Sequence, residues 1–223
     1  MKSTLPLLFV YVKINTNIKD KGGDRMLDKA FVMNLLKENN GIVESKQLTE
    51  AGIDGKILQR LEQSGEIERV GRGLYSDSNH MVDDYLVTQY RCKKGIYSHE
   101  TALFLHDLSD RTPFQFMLTI PNGFNTRLLK NKEKYRFFYI KKELHEIGKV
   151  TLKSPYGNEI EVYNKERTIC DCLRKKEKLD TDLVLTAVRQ YMQEPGGDFA
   201  RLLQYAEQFN IRNLVRQYME VLS

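Results

Sequence analysis

Cysteine is scarce in this chain, and no apolar run in it is long. The three cysteines, Cys92, Cys170 and Cys172, form an odd set with no pairing framework. That excludes a disulfide scaffold and points to a reducing compartment, so a cytoplasmic protein is expected. Cys170 and Cys172 stand two apart on a predicted helix, where such neighbours do not share a face, and all three read as ordinary thiols. The most apolar stretch, Leu5–Val12, falls far short of the roughly 20 residues that a membrane-spanning helix needs. It follows Lys2 much as a signal peptide would, but no small-residue cleavage site comes after it.

Several chemical signatures are missing too. The phosphate-loop spacing GxxxxGK[ST] does not occur, nor does the zinc pattern HExxH. His99 and His106 lie on one predicted helix, separated by roughly 10 Å of axial rise, too far to share an ion. They read as capping or packing residues, and neither a metal nor a cofactor is expected. Glu159, Glu161 and Lys165 resemble a nuclease carboxylate–lysine set, but glutamates alternating along a hairpin suit its wet face better. No repeat period and no low-complexity tract is found.

With 41% hydrophobic and 10% aromatic residues the chain can build proper cores, and 223 residues suit two small domains. We expect an extension over 1–25, a first domain over 26–78 and a second over 81–223, with the polar link Ser76–His80 at the boundary. Lys21-Gly22-Gly23-Asp24 can be encoded AAA-GGA-GGT-GAC, a purine-rich ribosome-binding sequence, so Met26 is the expected initiator. The net charge of +5 is a modest bias towards polyanions, and it is unevenly spread. Residues 26–80 carry seven cations against nine acids, so only clustering of cations on one face would make that domain a nucleic-acid reader.

Such a cluster is predicted between Asp54 and Tyr75. Ile57, Leu58 and Leu61 fall on one face of a helix, and Lys56, Gln59, Arg60 and Gln63 on the other. Arg and Lys bond guanine edges or phosphates and Gln reads adenine, so the second face suits a DNA major groove. Ser64-Gly65 ends this helix. The strand-like runs Ile67–Val70 and Leu74–Tyr75 then flank Gly71-Arg72-Gly73, a tight turn with arginine at its tip. Ahead of it, Asp28 is expected to cap a helix burying Phe31, Val32, Leu35 and Leu36. Ile42-Val43 is extended, Ser45 is expected to cap a short helix, and Asp54 to cap the next after a turn at Gly52. Three helices and a hairpin make a winged helix-turn-helix. The residues expected to contact DNA are Ser45, Lys46, Gln47, Lys56, Gln59, Arg60, Gln63, Arg69 and Arg72. A small helical bundle with a solvated polar face is the alternative.

The rest reads as a small sheet with several helices, giving an α+β chain whose C-terminus is helical. Strands are predicted at Phe114–Ile120 and Tyr135–Ile140, with a hairpin from Val150–Leu152 to Glu159–Tyr163. Helices are predicted over Val82–Tyr90, from Ser98 to Leu108, and from an Asn164 cap through about Lys176 with Ile169, Cys172 and Leu173 inward. Three more follow, Asp182–Met192, one from Asp198 and Ile211–Leu222. Between Arg127 and Lys142 seven cations face one acid, Glu133, among aromatics. Arg127, Lys130, Lys132 and Lys134 are therefore candidate auxiliary phosphate contacts, or part of a docking face for a nucleic-acid-like or acidic partner; a solvated loop leading into a buried aromatic strand is the alternative.

With the GRGLY turn, Gly95–Leu108 (GIYSHETALFLHDL), Leu118-Thr119-Ile120-Pro121 and Glu166-Arg167-Thr168-Ile169-Cys170-Asp171 in view, the chain resembles the AbiEi antitoxins of type IV abortive-infection toxin–antitoxin systems. The resemblance runs from Met26 to the C-terminus and leaves residues 1–25 outside. It implies a winged helix binding inverted repeats in its own promoter, on double-stranded DNA, and a second, antitoxin domain opposing a nucleotidyltransferase toxin. No stable complex with that toxin and no membrane is implied, and the pair would limit phage spread. A non-enzymatic regulator is the expectation. The alternatives are a winged-helix-targeted nuclease or modifying enzyme with its site in residues 95–170, and a protein that sequesters a partner through its C-terminal helices.

Overall fold

The computed structural model describes residues 23–126, 129 and 131–222, which divide into two compact units at Val87/Thr88. The polar link 76–80 lies ahead of that division. Among the described residues the chain is mixed α and β with two small sheets.

The first unit runs α1 (Gly23–Glu38), β1 (Ile42–Glu44), α2 (Ser45–Glu50), α3 (Lys56–Gln63), β2 (Ile67–Gly71) and β3 (Leu74–Asp77). It is a winged helix-turn-helix. Helix α1 buries Phe31, Val32, Leu35 and Leu36 as their spacing predicts. It begins at Gly23, however, so Asp28 lies within it and is not its cap. Arg25, Met26 and Leu27 are all good helix formers, and Leu27 packs against the core edge. The helix ends where Asn40 and Gly41 take positive φ (53° and 82°), and Gly41 N–H returns to Leu36 O (2.7 Å).

Two caps are shifted by one residue from expectation. Helix α2 is capped by Glu44 and not Ser45: Glu44 N–H donates to Gln47 Oε1 (2.8 Å), half of a capping box. The N-cap of α3 is Gly55, although the Asp54 carboxylate still accepts from Lys56 N–H (3.0 Å). Between them Gly52 supplies the left-handed turn (φ 74°), and Ile53 N–H bonds Leu48 O (2.9 Å). The sheet has the order β1-β3-β2, antiparallel throughout, with Val43 opposite Tyr75 and Arg69 opposite Tyr75 on the other side. Val32, Val43, Leu48, Leu58 and Ile67 sit at the centre, each 1% exposed or less. At about 25 cal/mol per Å2 each such side chain contributes roughly 1.5–3 kcal/mol.

Helix α4 (Asp84–Arg91) crosses the division. The second unit continues β4 (Ile96–Tyr97), α5 (His99–Leu105), β5 (Phe116–Pro121), β6 (Tyr135–Ile140), α6 (Lys142–His145), β7 (Lys149–Lys153), β8 (Glu159–Tyr163), α7 (Lys165–Arg174), a 3-10 turn at Lys176–Lys178, α8 (Thr181–Gln193), α9 (Phe199–Gln208) and α10 (Arg212–Leu222). Its sheet is mixed, in the order β6-β5-β4-β8-β7, with β4 antiparallel to β5 but parallel to β8. The hairpin β7–β8 forms as expected, and its register sets Val150 opposite Val162. Strand β5 starts at Phe116, two residues later than predicted, and Phe114 is fully exposed ahead of it. Helix α5 stops at Leu105 and not Leu108, because Asp107 turns left-handed (φ 58°) and Leu108 N–H closes onto Leu103 O (2.9 Å).

The largest departure concerns α7. Asn164 Oδ1 caps it as expected, accepting from Arg167 N–H (3.0 Å). The helix was expected to present one inward face, yet every residue from Glu166 to Leu173 is buried. Side chains of α8, α9 and α10 join it in one core cluster. Its buried charged residues find partners nearby. Arg167 Nε donates to Asp171 Oδ2 (2.8 Å) and Nη1 to Leu144 O and Ile147 O (2.9 and 2.7 Å), with its guanidinium between the rings of Tyr163 and Phe209 (4.1 and 4.2 Å). Glu166 accepts from Tyr191 Oη (3.0 Å). Gly148 is required beside this cluster: its φ is 76°, and a Cβ there would lie 2.7 Å from Arg167 Cβ.

Candidate nucleic-acid interface

Helix α3 separates its residues as an amphipathic reader would. Ile57, Leu58 and Leu61 are 6%, 1% and 3% exposed, while Lys56, Gln59, Arg60 and Gln63 are all exposed on the opposite side. The burial that fixes the helix on the core therefore presents those four side chains to solvent. Lys56 Nζ lies 3.8 Å from Asp54 Oδ2, an exposed pair worth little in water and readily exchanged for a phosphate. Ser64 ends the helix; Gly65 follows with φ 75°, and Glu66 N–H bonds Leu61 O (3.0 Å).

The hairpin β2–β3 follows directly. Arg72 is exposed in its turn, and Gly73 adopts the left-handed conformation (φ 68°) that the turn demands. The ladder slips between Arg69 and Gly71, and Arg69 Nε donates to Gly71 O (3.2 Å) across that bulge. The hairpin is tied to α2: Ser45 N–H donates to Gly73 O (2.8 Å), and a Cβ on Gly73 would stand 2.7 Å from Ser45 Oγ. Sequence reasoning overlooked this contact. Its only trace is the second glycine of Gly71-Arg72-Gly73.

The helix α2 residues are placed less uniformly. Lys46 is exposed and pairs with Glu50 one turn on (3.2 Å). Gln47 is half-buried with its oxygen engaged by the Glu44 N–H, which leaves the amide NH2 as its donor end. Ser45 is half-buried against the hairpin. Acids of the unit are partly drawn away by cations outside α3 and the wing. Lys29 of α1 lies 2.6 Å from Glu66, and hydrogen bonds from Lys29 and Ser64 hold that carboxyl below its usual range.

This fold and this face carry a family signature. Residues 31–76 match the model of the AbiEi antitoxin transcriptional regulators. Over this domain the chain is similar to the AbiEi antitoxin transcriptional regulators. No curated protein matches the chain. The matched segment spans the core of α1 to β3, so it contains all nine side chains of the candidate interface.

Outside the matched segment, the expected auxiliary positions Arg127 and Lys130 lie outside the described residues. Lys132 is exposed, and Lys134 sits half-buried with its ammonium 5.9 Å from the rings of Phe116 and Tyr135. Glu159, Glu161 and Lys165 do not converge: they pair with Lys153, Lys149 and Glu194 respectively. Among the described residues no group of three His, Cys, Asp or Glu is placed to hold a metal, and no helix is long and apolar enough to cross a membrane.

His99 and His106 lie in the second unit, the first buried and the second half-buried. His99 is 2% exposed at φ 51°, stacked on Phe138 at 3.5 Å, with Nδ1 2.9 Å from Ser98 Oγ, and Thr119 Oγ1 donates to the same hydroxyl (2.9 Å). Burial, with the nearby charges of Arg174, Arg167 and Arg136, holds His99 well below the usual histidine range. His106 Nε2–H donates to Tyr163 O (2.6 Å), and burial lowers it as well. Burial raises all three thiols, Cys92 to about 11 and Cys170 to about 12.

Proposed function

We propose that this chain is an AbiEi antitoxin, the autorepressor of a type IV abortive-infection operon. Its winged helix binds inverted repeats in its own promoter. The four exposed side chains of α3 enter the major groove, Ser45, Lys46 and Gln47 hold the flanking backbone, and Arg69 and Arg72 set the wing against phosphates or the minor groove. The second unit counteracts a nucleotidyltransferase toxin without a stable complex and without catalysis of its own, and the pair restricts phage spread from the cytoplasm.

One observation carries the DNA reading. A helix fixed by three buried apolar residues turns two cations and two amides outward, directly before a hairpin with an exposed arginine at its tip. The test is binding of the full chain to the DNA upstream of its gene, measured by anisotropy at several salt concentrations. Binding that weakens when Lys56 and Arg60 are both replaced by Ala supports the assignment, and unchanged binding overturns it. Co-expression with the neighbouring downstream gene tests the antitoxin half. Growth arrest by that gene, relieved by this chain, is the expected result.

A further inference from the structure

The five-stranded sheet has β7 at one edge and β6 at the other, and the two edges are built on opposite principles. On β7 the exposed positions are Lys149, Thr151 and Lys153, with the lysines paired to Glu161 and Glu159 on β8. Lysines on an edge discourage a further strand from adding to it. Strand β6 reads YRFFYI, with aromatics at Tyr135, Phe137, Phe138 and Tyr139, and Tyr139 is 54% exposed.

Among the described residues the main chain of β6 also has no strand on its other side. Lys134 O accepts from Phe116 N–H and Ile140 O from Asn122 N–H (both 2.8 Å). In a parallel ladder each residue turns its N–H and C=O to the same side, and successive residues alternate sides. The register Phe116 opposite Tyr135 then directs the main-chain groups of Arg136 and Phe138 to β5, and those of Phe137 and Tyr139 away from it. Tyr135 N–H is met by Asn131 O (3.0 Å), and among the described residues β6 pairs only with β5. Lys132 stands exposed before the strand, and Lys141 and Lys142 after it.

We propose that the outer edge of β6 receives an extended, acidic segment of a partner protein as an added strand. Phe137 and Tyr139 pair with its main chain, and lysines at both ends attract its carboxylates. A nucleic acid suits this edge poorly, because its phosphates meet the lysines but offer no donors to the outward carbonyls. A second copy of β6 running antiparallel would bring the lysine-flanked ends together, which like charges oppose. The inference is independent of the DNA reading, which uses the other unit.

The probe is a blocked synthetic peptide of alternating Glu and Val, compared with two versions N-methylated at one or the other set of alternate residues. The methylated peptides keep the charge and remove main-chain donors. With the full chain, the parent peptide binds, one methylated form binds more weakly by about tenfold or more, and Lys141→Glu with Lys142→Glu weakens the parent similarly. Phe137→Pro, which deletes one outward N–H, also weakens it. Should that variant melt early, the methylated peptides decide alone. Arg72→Ala leaves peptide binding unchanged, which separates this result from any failure of the DNA reading. The proposal is overturned by absence of parent binding, by equal binding of all three peptides, by oligothymidylate that displaces the peptide and is insensitive to Phe137→Pro, or by a β6-dependent dimer in sedimentation.

Discussion

Arg167 and Asp171 form an ion pair one helical turn apart, at 2.8 Å, with side chains 0% and 4% exposed. Two charges held out of water are costly unless each satisfies the other, and removal of one partner leaves the second uncompensated. Asp171→Ala is therefore expected to destabilise the second unit by about 3–5 kcal/mol. Arg167→Met with Asp171→Leu should recover part of that loss, since neither buried charge remains, while the partly exposed Arg174 loses its contact with Asp171 (3.3 Å) and the carbonyls of Leu144 and Ile147 lose a donor. Urea unfolding of the single and double variants checks both statements.

The wing depends on its second glycine. Gly73→Ala places a methyl 2.7 Å from Ser45 Oγ in a left-handed turn. The backbone conformation alone disfavours an L side chain by about 1–2 kcal/mol. The melting temperature should fall, and DNA binding should weaken beyond what the lost stability explains, because the tie between hairpin and α2 is strained.

Replacement of Lys56 or Arg72 by Ala, both exposed, removes one cation each from the proposed DNA face. If each neutralises a phosphate, the slope of log K against log salt should lessen by about 0.9 per substitution. Equilibrium titrations at several salt concentrations measure this, and two unaltered slopes would remove these residues from the interface.

Acid should weaken the second unit through two of its imidazoles. His99 and His106 have folded values below the ordinary one, first through burial, so the folded state favours the neutral rings. The unfolded chain takes up those protons near pH 6.5. Stability is thus full above that pH and falls below it, by at most about 1.4 kcal/mol per pH unit for each ring. His99→Asn, a residue that tolerates positive φ, should flatten the dependence between about pH 7 and about pH 5 in urea titrations.

The thiols should be silent in the native state. All three are buried, with their acidities suppressed chiefly by that burial. Iodoacetamide at about pH 8 should leave the folded chain unlabelled while the urea-unfolded chain reacts at three sites. Fast native labelling at Cys92 would show that the segment after α4 opens.

The winged unit was legible because its signals are local. A 3.6-residue alternation of apolar and polar residues fixed both the buried and the exposed face of α3, and glycines marked the turns at Gly52, Gly65 and Gly73. Caps were read one residue off because Ser45 is the commoner cap type, whereas the capping box here uses Glu44. Much of the second unit was hidden. Strand β4 spans two residues, too short for any period to register, yet it joins the two halves of its sheet. Glu166, Arg167 and Asp171 look like surface residues, and what buries them is contact with Tyr191 and with the carbonyls of Leu144 and Ile147, distant in sequence. The exposed polar side of α3 could be named by residue type and spacing, but the tie between Ser45 and Gly73 needed coordinates.

The guanidinium of Arg167 lies against Phe209, a residue translated some forty positions later. A nascent chain paused before that point holds α7 with its charge still facing water, so the second unit cannot close until α9 has left the ribosome. The core and sheet of the winged unit are synthesised much earlier, since they lie within residues 27–77. During each round of synthesis the half that resembles a regulator is ready first, and the other half matures only with the last helices.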